Sequence, residues 1–298
     1  MQAIPTPQAA RLPASRRWRE RMRETTRNML RGLVSGDSAI VMALDGAPMN
    51  AAHFEQAVCR NCGTLRSEPH CGACGQGAVR RYSLKDVWSD VWGNWDLFEL
   101  AYFHSAWRLL RKPGLVAREY LLGARSRHTH PLTLLLFAVG VLMLVLNKTG
   151  YLTAGQTELS AQMKMVATWS NGSFSLGLVA LFVASLLIFP RRLRYNPTEH
   201  LVLAIYLQFV VIALNVLNLL PLLLLDSTQW AVPWRSASAW YMTPIELAII
   251  GWGWKQFFCL DWRRHAWRIA LALLVFWLVK KALLLGYARI IMWMVLAG

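Results

Sequence analysis

The chain has 298 residues, 55% of them hydrophobic and only 16% charged, yet its charges sum to +16 from 32 Lys and Arg against 16 Asp and Glu. A soluble domain usually has about a quarter of its residues charged, so an ordinary globular protein is excluded. The counts of 19 Gly, 12 Pro and five Cys exclude collagen-like and disulfide-scaffold classes. What remains is a membrane protein with a basic cytosolic face or a nucleic-acid binder.

Residues 1–57 read as a basic, largely disordered cytosolic tail. The first 31 residues hold eight Arg but no apolar core of a secretory signal, and Glu20 and Glu24 argue against an organellar presequence. The stretch Arg16–Leu33 is alternatively a basic surface helix attracted to anionic lipid.

Residues 58–80 read as a zinc ribbon. Cys59-Arg-Asn-Cys62-Gly and Cys71-Gly-Ala-Cys74-Gly are two C-x-x-C units, the pattern of a tetrahedral site with four thiolates. Gly63 and Gly75 permit the positive φ that closes each turn. Four thiolates leave no open position, so the metal, one zinc ion, is structural and not catalytic. Disulfides are the rival use, disfavoured on the cytosolic side where thiols stay reduced. Arg60, Arg66, Arg80 and Arg81 surround the ribbon, but no aromatic stacking set accompanies them. Anionic lipid accounts for that charge, and no nucleic-acid partner is expected.

Residues 81–130 read as amphipathic, interfacial helices. Leu84, Val87, Trp88, Val91, Trp92, Trp95 and Phe98 follow helical spacing, with Ser83 as cap and Asp86 in the first turn. The helix either lies in the headgroup region or belongs to a small soluble layer. His128 and His130 flank the membrane entry, as interfacial residues or as a metal pair.

Residues 131–298 read as the transmembrane domain, with apolar runs starting at Leu132, Phe174 and Leu201 and interrupted ones around Met242–Phe258 and Trp267–Trp293. A bilayer core needs roughly 20 helical residues, so about five transmembrane helices are expected. With the N-terminus inside, segments 1–131, 190–200 and 255–268 carry 26 basic residues and the opposite loops three. The positive-inside rule then sets the ribbon in the cytosol and the C-terminus outside. Trp169, Trp230, Trp234 and Trp240 mark one boundary, and Trp252, Trp254, Trp262 and Trp267 the other. Lys280 and Lys281 fall mid-span: either they snorkel, or the helix ends there and Ala282–Ala297 forms a separate segment. Cys259, at the cytosolic end of the fourth helix, reads as a small buried residue or, less simply, a lipidation site.

The order of motifs resembles a bacterial family designated domain of unknown function 3667. Its members start with two C-x-x-C-G units, the second continuing to Gln as at Gln76. A basic-Pro-Gly segment follows, here Arg111-Lys112-Pro113-Gly114, then Arg118-Glu119-Tyr120 with Gly123 and Arg125, and Pro131 at the first span. Glu199-His200-Leu201-Val202 opens a later helix in the same manner. The resemblance covers about Val58 to Ile212. It departs at Glu68-Pro69-His70, where an aromatic usually precedes the third Cys, and at Tyr206, where relatives often carry a second His. It implies the bacterial inner membrane as location and no established activity.

Ionisable and amide side chains in the spans are functional candidates by default. Glu199, His200, Asn215, Glu246 and Lys280 form the candidate intramembrane site. Each has a structural reading as well. Thr198 can cap the third span while Glu199 meets its positive end, Asn215 and Asn218 can bridge helices, and Glu246 can pair with Lys280 or Lys281. No nucleophile with an adjacent base, no paired carboxylates and no phosphate-binding loop stands out, so an enzyme is not expected. The leading reading is a non-enzymatic scaffold or assembly and regulatory factor that docks a protein partner through its ribbon. The alternative is a small transporter or channel, which with five helices and no internal repeat would act as a homo-oligomer.

Overall fold

In the computed structural model, the described residues are 46–66, 69–87, 100–149, 176–225 and 231–297. The basic tail up to residue 45, the Trp-rich part of the amphipathic segment at 88–98, and the loops holding Lys164, Trp169 and Trp230 lie outside them. All described residues belong to one compact unit, Ile40–Gly298.

The described architecture is helical, with two isolated antiparallel bridges at the cysteine cluster. We number the helices α1 (Leu100–Arg111), α2 (Pro113–Leu122), α3 (Pro131–Thr149), α4 (Leu176–Ile188), α5 (Pro197–Leu219), α6 (Leu222–Leu225), α7 (Ala231–Phe257) and α8 (Trp262–Ala297). Local chemistry sets several of these boundaries. Proline opens α2, α3 and α5, where its missing N–H would have had no intrahelical partner. Gly123 ends α2 at φ 113°, and its N–H bonds back to the carbonyls of Glu119 and Tyr120. The cap of α5 is Asn196, not the expected Thr198. Pro197 occupies the first helical position, so Asn196 precedes it and bonds the Glu199 N–H at 2.8 Å.

Three helical segments are long and apolar enough to cross a membrane: Arg125–Thr149, Pro197–Leu219 and Trp262–Met294. The helix α4 is equally apolar but shorter, and α7 is long but carries polar residues and an internal proline, Pro244. Helix α8 runs unbroken for 36 residues, about 54 Å at 1.5 Å per residue. The reading in which it ends at Lys281 is thereby overturned. From Val279 to Leu285 it holds only Lys, Ala, Leu and Val, none of which breaks a helix.

Helix α5 is the central column and packs against α1, α2, α3, α4 and α7. Two-thirds (67%) of its apolar window is buried, against 17% for that of α8, which is therefore an outer helix with most of its surface turned away from the protein. Glycines set the closest approaches. A Cβ on Gly114 of α2 would lie 2.0 Å from the Gly253 carbonyl of α7, and one on Gly253 would lie 2.3 Å from Leu207 of α5. The Arg-Lys-Pro-Gly segment thus ends in a contact that only hydrogen atoms fit. Gly114→Ala is expected to destabilise the protein by at least the about 1–3 kcal/mol typical of overpacking, because a backbone carbonyl is in the way. Thermal unfolding in detergent checks this, and a variant as stable as the parent would contradict the contact.

Candidate metal centre and membrane-embedded polar site

The two C-x-x-C-G units fold into near-identical turns. In the first, the Gly63 N–H donates to the Cys59 carbonyl at 2.9 Å and the Cys59 N–H to the Thr64 carbonyl at 2.8 Å. In the second, the Gly75 N–H donates to the Cys71 carbonyl at 2.7 Å and the Cys71 N–H to the Gln76 carbonyl at 2.9 Å. Gly63 and Gly75 take φ of 81° and 73°, a left-handed conformation that favours glycine. Bridges Val58–Leu65 and His70–Gly77 close each turn.

This brings Cys59, Cys62, Cys71 and Cys74 together, their sulfurs all within 4.8 Å of one another. Cys59 and Cys74 stand 3.6 Å apart, and Cys62 and Cys71 3.5 Å. A disulfide would require about 2.05 Å. Metal–sulfur bonds of about 2.3 Å in a tetrahedron give sulfur–sulfur edges of about 3.8 Å, close to what is observed. The thiols are free, and the set fits one tetrahedral metal ion that prefers thiolates. Hydrogen bonds from Thr64, and then from the Cys74 and Ala73 backbone, pull the Cys71 thiol down to about 6, whereas burial pushes Cys74 up to about 12. His70 lies outside the sulfur cluster and packs against Gly77.

The ribbon rests on the start of the membrane-crossing region. Gln76 donates to the Gly123 carbonyl at 2.7 Å and accepts from the Ser126 N–H and hydroxyl at 3.1 and 3.0 Å. One amide thereby ties the second cysteine turn to the end of α2. A Cβ on Gly123 would lie 2.9 Å from both Arg60 and Val79, so ribbon and helix meet without a gap. His53 bonds the Leu122 carbonyl at 2.9 Å, and burial, more than Arg60 beside it, pushes its imidazole below the ordinary value. Arg81 grips both oxygens of Glu199 at 2.9 and 3.0 Å. Glu199 also accepts from the Asn196 N–H at 2.7 Å, completing a capping box.

The sequence-derived site residues accordingly separate into two places. Glu199 and His200 belong to the ribbon end of α5. Glu199 is fully buried and occupied by the cap and Arg81, so its role is structural. His200 meets the Ser185 hydroxyl of α4 at 2.7 Å. His128 and His130 are each engaged by a different partner. His128 bonds Glu119 at 2.8 Å, while His130 bonds the Tyr82 hydroxyl at 3.0 Å.

A polar layer at this level escapes sequence reasoning. Glu119, fully buried in α2, holds Arg108 of α1 at 2.7 Å on one oxygen and His128 on the other. Arg118 donates to Cys259 in the turn between α7 and α8. Tyr82, Tyr120 and Tyr206 stack edge to face, with Tyr206 donating to the Thr129 carbonyl at 2.9 Å. Arg118-Glu119-Tyr120 is visible as a run in the sequence, but its partners come from five other segments. The signal is an Arg-Glu pair inside an otherwise apolar helix.

Asn215, Glu246 and Lys280 come together elsewhere, around a cavity of about 270 Å³ between α5, α7 and α8. Lys280 donates to both oxygens of Glu246, at 2.6 and 2.7 Å. Lys281 is exposed and lies over the Trp277 ring, so the two adjacent lysines point to different environments. Asn215 turns back on its own helix, donating to the Val211 carbonyl at 2.8 Å instead of bridging helices. Asn218 does bridge, accepting from the Tyr241 hydroxyl of α7.

No curated protein and no solved structure matches the chain. A family model described as "Protein of unknown function (DUF3667)" matches residues 102–143, which run from α1 through the Arg118-Glu119-Tyr120 helix into α3. The matched residues are those that carry the buried Glu119 node and receive the ribbon, and over that segment the chain is similar to the DUF3667 family.

Proposed function

We propose that the protein is a non-enzymatic scaffold or assembly and regulatory factor, in which one structural zinc ion shapes a docking platform at the membrane surface. The observation that carries this reading is the coupling of the cysteine cluster to the central helix through Gln76, Gly123 and the Arg81–Glu199 pair. A closed four-thiolate sphere supplies rigidity and no chemistry. On its outer side the segment offers Leu65 (82% exposed) and Leu84 (55% exposed) to a partner protein.

In the same reading, the chain crosses a bacterial inner membrane five times, with α4 and α7 completing the set of spans. Its ribbon faces the cytosol, its C-terminus lies outside, and anionic lipid contacts the basic face. The charge distribution supports that orientation, as do Lys255 over Trp252 at 4.8 Å and Arg268 over Trp267 at 5.2 Å at the α7–α8 turn. A reporter fused to the C-terminus is expected to signal from the outer side, and a cytosolic signal would overturn five spans. Co-purification from native membranes tests the scaffold itself. A bound protein should be lost with Cys62→Ser and kept with Glu246→Gln plus Lys280→Met. A partner retained after excision of residues 58–80 would sink the reading.

A second reading, a small oligomeric transporter or channel, is favoured by one observation: the cavity that collects Asn215, Glu246 and Lys280 within the bundle.

A further inference from the structure

Lys280 stands 18 residues after the first residue of α8, about 27 Å along a helix of about 54 Å, at mid-length. Most of that helix faces outward, so its inward-turned ammonium is an exception that requires a reason. Stability does not supply one. Replacing a desolvated ion pair by apolar side chains of similar volume is commonly neutral or stabilising, and charges deep in a membrane mark functional sites.

The surroundings of the pair narrow what it binds. The cavity beside it takes uncharged hydrogen-bonding side chains from Gln208, Asn215, Asn218, Ser238 and Thr243 of α5 and α7, set among apolar side chains such as Val211 and Met242. Among the described residues, the charged ones lining it are Glu246 and Lys280, whose formal charges cancel. In a low-dielectric setting a singly charged ligand would pair with one of them and strand the other. A ligand with both charges avoids that penalty. Its carboxylate takes the Lys280 ammonium and its ammonium takes the Glu246 carboxylate, so two ion pairs replace one and the site stays neutral. Pockets for drug-sized ligands run from about 300 to 1,000 Å³, so about 270 Å³ suits a smaller molecule.

We propose that the cavity between α5, α7 and α8 binds a small zwitterion of amino-acid size, held between Lys280 and Glu246. This rests on the transporter or channel reading and names its ligand class.

The test uses the full chain, metal-loaded, in lipid nanodiscs. Each standard α-amino acid is titrated by calorimetry and by thermal unfolding, with acetate and methylammonium as singly charged controls. At least one amino acid is expected to bind saturably, raising the unfolding temperature by several degrees at saturation. The paired substitution Glu246→Gln with Lys280→Met removes both charges together. It should unfold within a few degrees of the parent while losing affinity at least 100-fold. The reversed pair, Glu246→Lys with Lys280→Glu, restores a neutral site and should regain part of the binding. If no amino acid binds but acetate or methylammonium does, and the paired substitution abolishes it, the zwitterion proposal falls while the solute site stands. If none of these probes binds, both fall. Binding that survives the paired substitution places the ligand elsewhere and overturns the proposal.

Discussion

Stripping the metal with a chelator, or replacing Cys71 with Ser, is expected to unfold residues 58–80 while the membrane helices stay folded. About 20 residues cannot bury a core of their own, so the ribbon depends on its ion. Apparent binding free energies of about 10–16 kcal/mol in small zinc domains show how much structure an ion can hold. The amides to follow are those of Cys59, Gly63, Cys71 and Gly75, whose bonds exist only while the two turns are closed. Hydrogen exchange should show their protection lost on chelation and that of Leu203–Ile212 in α5 retained. Elemental analysis of the intact protein should give about one zinc per chain by the stoichiometry of a four-thiolate site. A ribbon equally protected with and without metal would mean that docking through Gln76 and His53 suffices to hold it.

Glu199→Ala is expected to cost about 1–3 kcal/mol of stability, the range for leaving a buried donor without its acceptor. The loss has two sources. Arg81, 37% exposed, loses its partner and recovers some solvation, whereas the Asn196 N–H at the buried start of α5 loses its acceptor altogether. Glu199→Gln keeps a carbonyl oxygen for that N–H and should cost less. Arg81→Met keeps the capping box but strands the fully buried Glu199 carboxylate without its cation, and should cost more than Glu199→Gln. Equilibrium unfolding of the three variants in one detergent establishes the order. If Arg81→Met proves as mild as Glu199→Gln, the buried carboxylate is held by the cap alone and the ion pair contributes little.

Features that are local along the chain are the ones legible in its sequence. The cysteine site is legible because both turns are written in five consecutive residues each, and glycine at the fifth position reports a left-handed backbone directly. Helix starts are legible where a proline stands, although the expected cap of α5 lies two residues from the observed one. Asn196 and Thr198 are both good caps, and only the backbone distinguishes them. The lysine pair divides in a way no pattern foretells. Lys280 and Lys281 are neighbours in sequence, but 100° of helix separates them, which turns one to Glu246 and the other to Trp277.

Composition, apolar run length and short-range spacing are properties of contiguous residues. They suffice to point this chain to membranes, to pick out its four-cysteine cluster as a candidate metal site and to recognise the family it resembles. Tertiary packing was needed to show that the metal ribbon is seated on the helices instead of hanging from them, and that the candidate intramembrane residues form two separate groups. Packing also makes Glu199 a cap and clamp, whereas Glu246 faces a cavity. Those outcomes depend on partners 34 to 118 residues away in the chain. Burial makes such pairings obligatory, since a charge removed from water must find its counterpart, but the identity of that counterpart is set by how the helices pack.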